Sequence, residues 1–252
     1  MELFGVINMD IVNSRRIKER ELLQNQLMAY IEMMNDKYQD KLLATPIRIT
    51  LGDEWQIVLR RPAECYNIIH EFQRFLWEKG IEVYTGFSIG PVSTDVLMDN
   101  RMMDGPVFIL AREALHISKK NSKTHSKPTF SKRNRVFFHD GGYTGYAVEE
   151  AAAALDPDDN RHHISHELPL GKIINLIIEN NEILKAKMSP KQKETYIKYF
   201  NAESYRKLSK ELNESTSSIS QKMNIAEYFT IQRNHKMVSQ LLEKYCWMRG
   251  VQ

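Results

Sequence analysis

The chain has 252 residues, 42% hydrophobic and 27% charged, which is the composition of a globular protein with a core and not of a disordered chain. No apolar run reaches the ~18 residues of a membrane span, and no basic segment precedes an apolar one at the N-terminus, so neither a membrane helix nor a secretory leader is expected. The net charge of +3 is uneven: residues 185–252 hold 13 Lys/Arg against 6 Asp/Glu, and residues 1–184 hold 22 against 26, so a polyanion is the expected partner of the C-terminal third.

Residues 3–9 are rich in Val, Ile and Phe and predict a strand. From Ile17 to Tyr38, Leu23, Leu27, Tyr30, Ile31 and Met34 recur at helical spacing. "PIRITLGDEWQIVLR" predicts two strands around a turn at Gly52–Asp53. Pro62 opens a helix whose inner stripe is Cys65, Ile68, Ile69, Phe72, Phe75 and Leu76, and Gly80 stops it. "IEVYTGFSIGPV" predicts a further strand, and "DGPVFILAREALHISKK" a helix. "KKNSKTHSKPTFSKRNR" is basic and without apolar periodicity, hence a loop. "RVFFHDGGYTGYAV" predicts a hairpin with a Gly-Gly turn. "AAAALDPDDNRHHISHELP" predicts a helix end and a linker; its His162, His163 and His166 have no standard metal-site spacing. Cys65 and Cys246 are expected to be reduced thiols in a cytoplasmic protein.

The expected order is β-α-β-β-α-β-α-β-β, then a linker, then helices. It predicts an α+β fold: a ferredoxin-like domain over residues 1–150, a linker over 151–170 and an all-α domain over 171–252. Such a core is expected to set the first strand beside the second, bringing Asp10, at the end of the first strand, near Asp53 in the hairpin turn. Two adjacent carboxylates repel unless a cation separates them. Mg²⁺ held by carboxylates and phosphate oxygens is the usual solution, and two ions ~3.5–4 Å apart support in-line attack at phosphorus. The turn "IVNSRR" offers backbone N–H groups, the Ser14 hydroxyl and the charge of Arg15 or Arg16 to an anion. A helix cap at Asn13 or Ser14, with the arginines in solvent, accounts for the same residues.

Four stretches in order, "DIVNSRR", "ITLGDEWQIVL", "VYTGFSIGPV" and "GPVFILAREAL", resemble the class III nucleotidyl cyclase catalytic domain. With a C-terminal helix-turn-helix behind them, they resemble more closely the SatD family of bacterial proteins. The resemblance implies a nucleoside triphosphate bound with Mg²⁺ or Mn²⁺. Asp10 and Asp53 would be the metal carboxylates and Ile11 would lend its carbonyl, beside the turn whose Asn13, Ser14 and Arg15 are the expected phosphate contacts. Arg112 would be the transition-state arginine, and a homodimer would complete the site. Two positions depart from the cyclase pattern: Phe108 stands where the helix carries Asn, and Ile49 where a lysine reads the purine. These departures bear on base recognition and cyclisation more than on metal or triphosphate binding.

Residues 188–230 have the rhythm of a helix-turn-helix and resemble the fourth region of sigma factors. Ser189 caps a helix with Pro190 at its first position. Tyr205, Leu208 and Leu212 share a face of the next, "NES" makes the turn, and Ile219, Met223 and Ala226 point inward from a third helix. DNA contacts are expected from Thr216, Ser217, Ser218, Gln221 and Lys222 in the groove, and from Arg206, Lys207 and Lys210 on phosphates. The tail "HKMVSQLLEKYCWM" is amphipathic and suits either this module or a dimer contact. Two main readings follow for the whole chain, with a degenerate domain that only holds a partner protein as a third. One is a cytoplasmic, nucleotide-binding, DNA-binding regulator; the other is an active nucleotidyl cyclase or related Mg²⁺-dependent phosphoryl-transfer enzyme with a regulatory arm.

Overall fold

The computed structural model describes residues 2–39, 41–96, 99–120, 131–141, 170–202 and 204–250. Among them, five strands form one mixed sheet: β1 (Phe4–Ile11), β2 (Arg48–Leu51), β3 (Glu54–Leu59), β4 (Val83–Gly90) and β5 (Val136–His139). The spatial order is β2-β3-β1-β4-β5, antiparallel except for the parallel β4–β5 pair. The chain is α+β, with the sheet in its N-terminal part and helices after it. The first strand lies beside the third, not the second as expected. The connection from β1 through the first helix skips one strand position, and the tight β2–β3 turn brings β3 back into the gap. Gly52 makes that turn with φ +61°, a backbone conformation that costs glycine little. The second strand of the expected 135–148 hairpin, the basic residues 121–130 and His162, His163 and His166 lie outside the described residues.

Strand alternation sorts β1 between two faces. Ile7, Met9 and Ile11 join Trp55, Ile57, Phe87 and Phe138 in the larger core, covered by α1 (Arg20–Tyr38) and α2 (Cys65–Trp77). Phe4 and Val6 face the other way, toward α3 (Pro106–Lys120), with Val58, Val107 and Ala111. Phe108 packs partly buried against this second cluster. Gly86 lets α3 lie against β4: a Cβ there would sit 1.9 Å from the Leu115 nitrogen.

Five helices follow among the described residues: α4 (Leu170–Lys187), α5 (Pro190–Ala202), α6 (Tyr205–Leu212), α7 (Thr216–Ile225) and α8 (Tyr228–Gly250). The buried stripe of α8 runs Tyr228, Ile231, His235, Val238, Leu242, Tyr245, alternating three- and four-residue steps that keep one face inward. Its N-terminal half enters the cluster of Tyr196, Leu208, Ile219 and Met223, while Val238, Leu242 and Tyr245 enter the sheet core. The amphipathic tail therefore buries its stripe within the chain. Ile174 and Ile178 of α4 join the same core. The Asn175 side chain exchanges hydrogen bonds with the Phe138 backbone, accepting at 2.9 Å and donating at 2.8 Å, which occupies the edge of β5.

A buried polar network ties α2 to the C-terminal helices. Lys185 donates to Glu182 at 2.6 Å and to Gln73 at 2.9 Å; Tyr66 and Gln73 each donate to Glu182 at 2.8 Å. His70 meets the Tyr196 hydroxyl at 2.8 Å and packs beside His235, which stacks on Tyr66. Neither ring nitrogen of His235 has a hydrogen-bond partner among the described residues.

Candidate functional site

Asp10 falls inside β1, opposite Glu54 of β3 and Tyr84 of β4, so these three positions share one row and one face. That face looks onto α3. Arg112 and Lys119 are seven residues apart, two turns on one side of the helix, and both reach this row. Arg112 donates to Glu54 at 3.3 Å, and Lys119 pairs with Asp10. Asp53, in the β2–β3 turn, pairs with Arg20 at 3.6 Å. Burial raises the Asp10 carboxyl above its ordinary value, Lys119 pulls it back down, and the Asp53 charge raises it again. The fold thus gathers three carboxylates and three cations at one end of β1 and β3. Asp10, Asp53 and Arg112 came from the sequence. Lys119 falls in the sequence both at the end of the Arg112 helix and at the head of the basic stretch, and its seven-residue spacing from Arg112 carried the signal. Arg20 carried no such signal.

The row below is polar and buried. Gln56 donates to Asn8 at 2.9 Å, and the Gln56 carbonyl accepts from Asn100 at 3.1 Å. The Asn8 amide nitrogen has no hydrogen-bond partner among the described residues. Among the described residues, no group of three or more His, Cys, Asp or Glu side chains is placed to hold a metal ion. The oxygen donors of Asp10 and Asp53 are nonetheless the hard ligands that Mg²⁺ prefers. An ion between two carboxylates would leave its other positions to water and phosphate.

Asn13 is in the left-handed region at φ 54°, and Ser14–Arg16 form a single 3-10 turn. The N–H groups of Arg16 and Ile17 bond to Asn13 and Ser14 within the turn. Neither Asn13 nor Ser14 caps α1, which starts at Arg20. Arg15 is exposed, while Asn13 and Arg16 line a groove beside Trp77. Ile11 is a paired strand residue opposite Val83, its side chain in the core.

In the C-terminal helices, Ser189 and Gln192 cap α5 reciprocally. Ser204 caps α6, and Ser215 caps α7. Asn213, left-handed at φ 51°, turns the chain between α6 and α7. Arg206, Lys207, Lys210, Thr216, Ser217 and Gln221 are exposed. Ser218 and Lys222 are instead engaged by Glu214, whose carboxyl these contacts hold below its ordinary value. None of the helices among the described residues is long and apolar enough to cross a membrane. No curated protein matches the chain in sequence. The sequence model of the SatD family matches residues 4–136, which covers β1 to the start of β5 and every member of the carboxylate–cation cluster. With more than half its length matched, the chain belongs to the SatD family.

Proposed function

We propose that this protein is a cytoplasmic regulator in which the sheet domain binds a nucleoside triphosphate with Mg²⁺ or Mn²⁺ and the C-terminal helices bind DNA. The observation that carries the reading is the gathering of Asp10, Glu54 opposite it and Asp53 of the adjoining turn at one end of β1 and β3, beside Arg112, Lys119 and Arg20. A metal there would supply charge to polarise phosphate oxygens. Arg112, Lys119 and Arg20 would exchange their carboxylate partners for phosphate. The strand order β2-β3-β1-β4, with β1 antiparallel to both neighbours, supports a ferredoxin-like assignment of the kind nucleotidyl cyclases use. Homodimer formation remains part of this reading through the cyclase resemblance alone. DNA binding is supported by the outward, polar face of α7 and the exposed cations of α6, in the arrangement of a helix-turn-helix.

The second reading, a cyclase or related phosphoryl-transfer enzyme, is favoured by Arg112, which reaches the carboxylate row. Phe108 works against it, since an apolar side chain in the second core cluster donates no hydrogen bond to a transition state.

Calorimetric titration with purine and pyrimidine triphosphates, with and without Mg²⁺, separates these readings from a site with no ligand. Mg²⁺-dependent binding that disappears in Asp10→Asn and Asp53→Asn is expected. Binding of no triphosphate, or equal binding in the variants, contradicts both readings. A cyclic or pyrophosphate-releasing product dependent on Asp10 would favour the second.

A further inference from the structure

A groove runs between the α2–β4 corner and the first turns of α5. Its wide part holds about 450 Å³ and is walled by Val12, Ile17, Trp77, Ile81, Met188 and Pro190. A recess of about 30 Å³ continues inward to Gln73, Glu182 and the fully buried Lys185. Five cationic side chains line the two parts, Arg16, Arg133, Arg135, Lys185 and Lys193, against two carboxylates, Glu82 and Glu182. Glu82 pairs with Arg135 and lies 3.9 Å from Lys193; Glu182 pairs with Lys185. Arg16 and Arg133 are exposed and have no ion-pair partner among the described residues. Lys193 lies over the Trp77 ring, 5.1 Å from its centre. Burial pulls its ammonium below the ordinary lysine value, Glu82 opposing and Arg135 adding.

We infer that this groove binds a small phosphate monoester, the phosphoryl group held by Lys193, Arg133 and Arg135 and an apolar body lying along Ile81, Trp77 and Met188. A dianion with several acceptor oxygens suits a fork of arginines and a lysine better than a single carboxylate does. The surplus of cations over carboxylates needs that much charge, and the apolar walls have no use for a bare ion. The groove joins the sheet domain to α5 at Pro190 and Lys193. A ligand there would bridge the two parts of the chain, independently of the Asp10 cluster and without a metal.

Calorimetry of the full chain in EDTA, with phenyl phosphate and inorganic phosphate as probes, tests this. The two carry similar charge and differ by an apolar ring. Phenyl phosphate is expected to bind, and more tightly than phosphate. Arg133→Gln and Lys193→Gln should each weaken it about tenfold, the loss of one charge-assisted hydrogen bond. Arg61→Gln, outside the groove, should leave it unchanged. Arg133 is exposed, so its variant folds even if the Lys193 variant does not. No binding, phosphate binding as tightly as phenyl phosphate, no effect of Arg133→Gln, or an equal effect of Arg61→Gln overturns the assignment. Because EDTA removes Mg²⁺, loss of nucleotide binding at Asp10 would not mimic any of these outcomes.

Discussion

Two charged clusters in this molecule use the same residue types in opposite surroundings. At Asp10, Glu54, Arg112 and Lys119 the cations lie at a rim, the Arg112 and Lys119 side chains 57% and 32% exposed over carboxylates that are 14% and 20% exposed. At Lys185 and Glu182 they are 2% and 6% exposed. A rim pair exchanges its partner for water or a ligand at little cost, since exposed pairs contribute about 0–1 kcal/mol. A buried pair has no such alternative, because each ion has lost its water. The comparison separates a site able to change partners from a joint that holds the C-terminal helices against α2.

The largest way to break that comparison is Lys185→Met. It strands the Glu182 carboxylate beneath Tyr66 and Gln73, and about 3–5 kcal/mol of stability should be lost. Lys185→Met with Glu182→Leu should recover most of it. Arg112→Gln should cost about 0–1 kcal/mol while weakening triphosphate binding. Chemical denaturation of the three variants checks this ordering. If Lys185→Met and Arg112→Gln lose equal stability, the joint is not special.

A smaller effect sharpens the same contrast by pH. Burial holds His70 and His235 well below the ordinary imidazole value. The unfolded chain therefore takes up protons that the folded one refuses. Stability is fully present above about pH 6.5 and falls below it, by up to about 1.4 kcal/mol per pH unit for each histidine. Thermal unfolding between about pH 7 and 5 should show the decline, and His235→Phe should flatten it. A flat profile in the native chain would mean that the histidines find solvent.

Much of the fold was legible because its signals are local. Gly52, Pro62 and Ser189 each mark an element through their own backbone or side chain. Asp10 and Asp53 were legible because carboxylates beside apolar strands need an explanation. The neighbour of β1 was not, since strand order is decided by crossovers and not by any one residue. The α2–α4–α8 joint was missed for a related reason: nothing local to Lys185, Glu182 and His235 marks them as buried, and only helices far apart in the chain enclose them. Helical spacing did carry Lys119 onto the face of Arg112, but the basic run after it hid the pattern.

The central claim is that the sheet domain's ligand and the C-terminal helices act as one regulator. The direct test is fluorescence anisotropy of labelled genomic DNA fragments at low salt, with and without a triphosphate and Mg²⁺. The account predicts binding that weakens steeply with salt and an affinity that changes on adding Mg²⁺-nucleotide in the native chain but not in Asp10→Asn. DNA binding that is absent, or indifferent to nucleotide in both proteins, would contradict it.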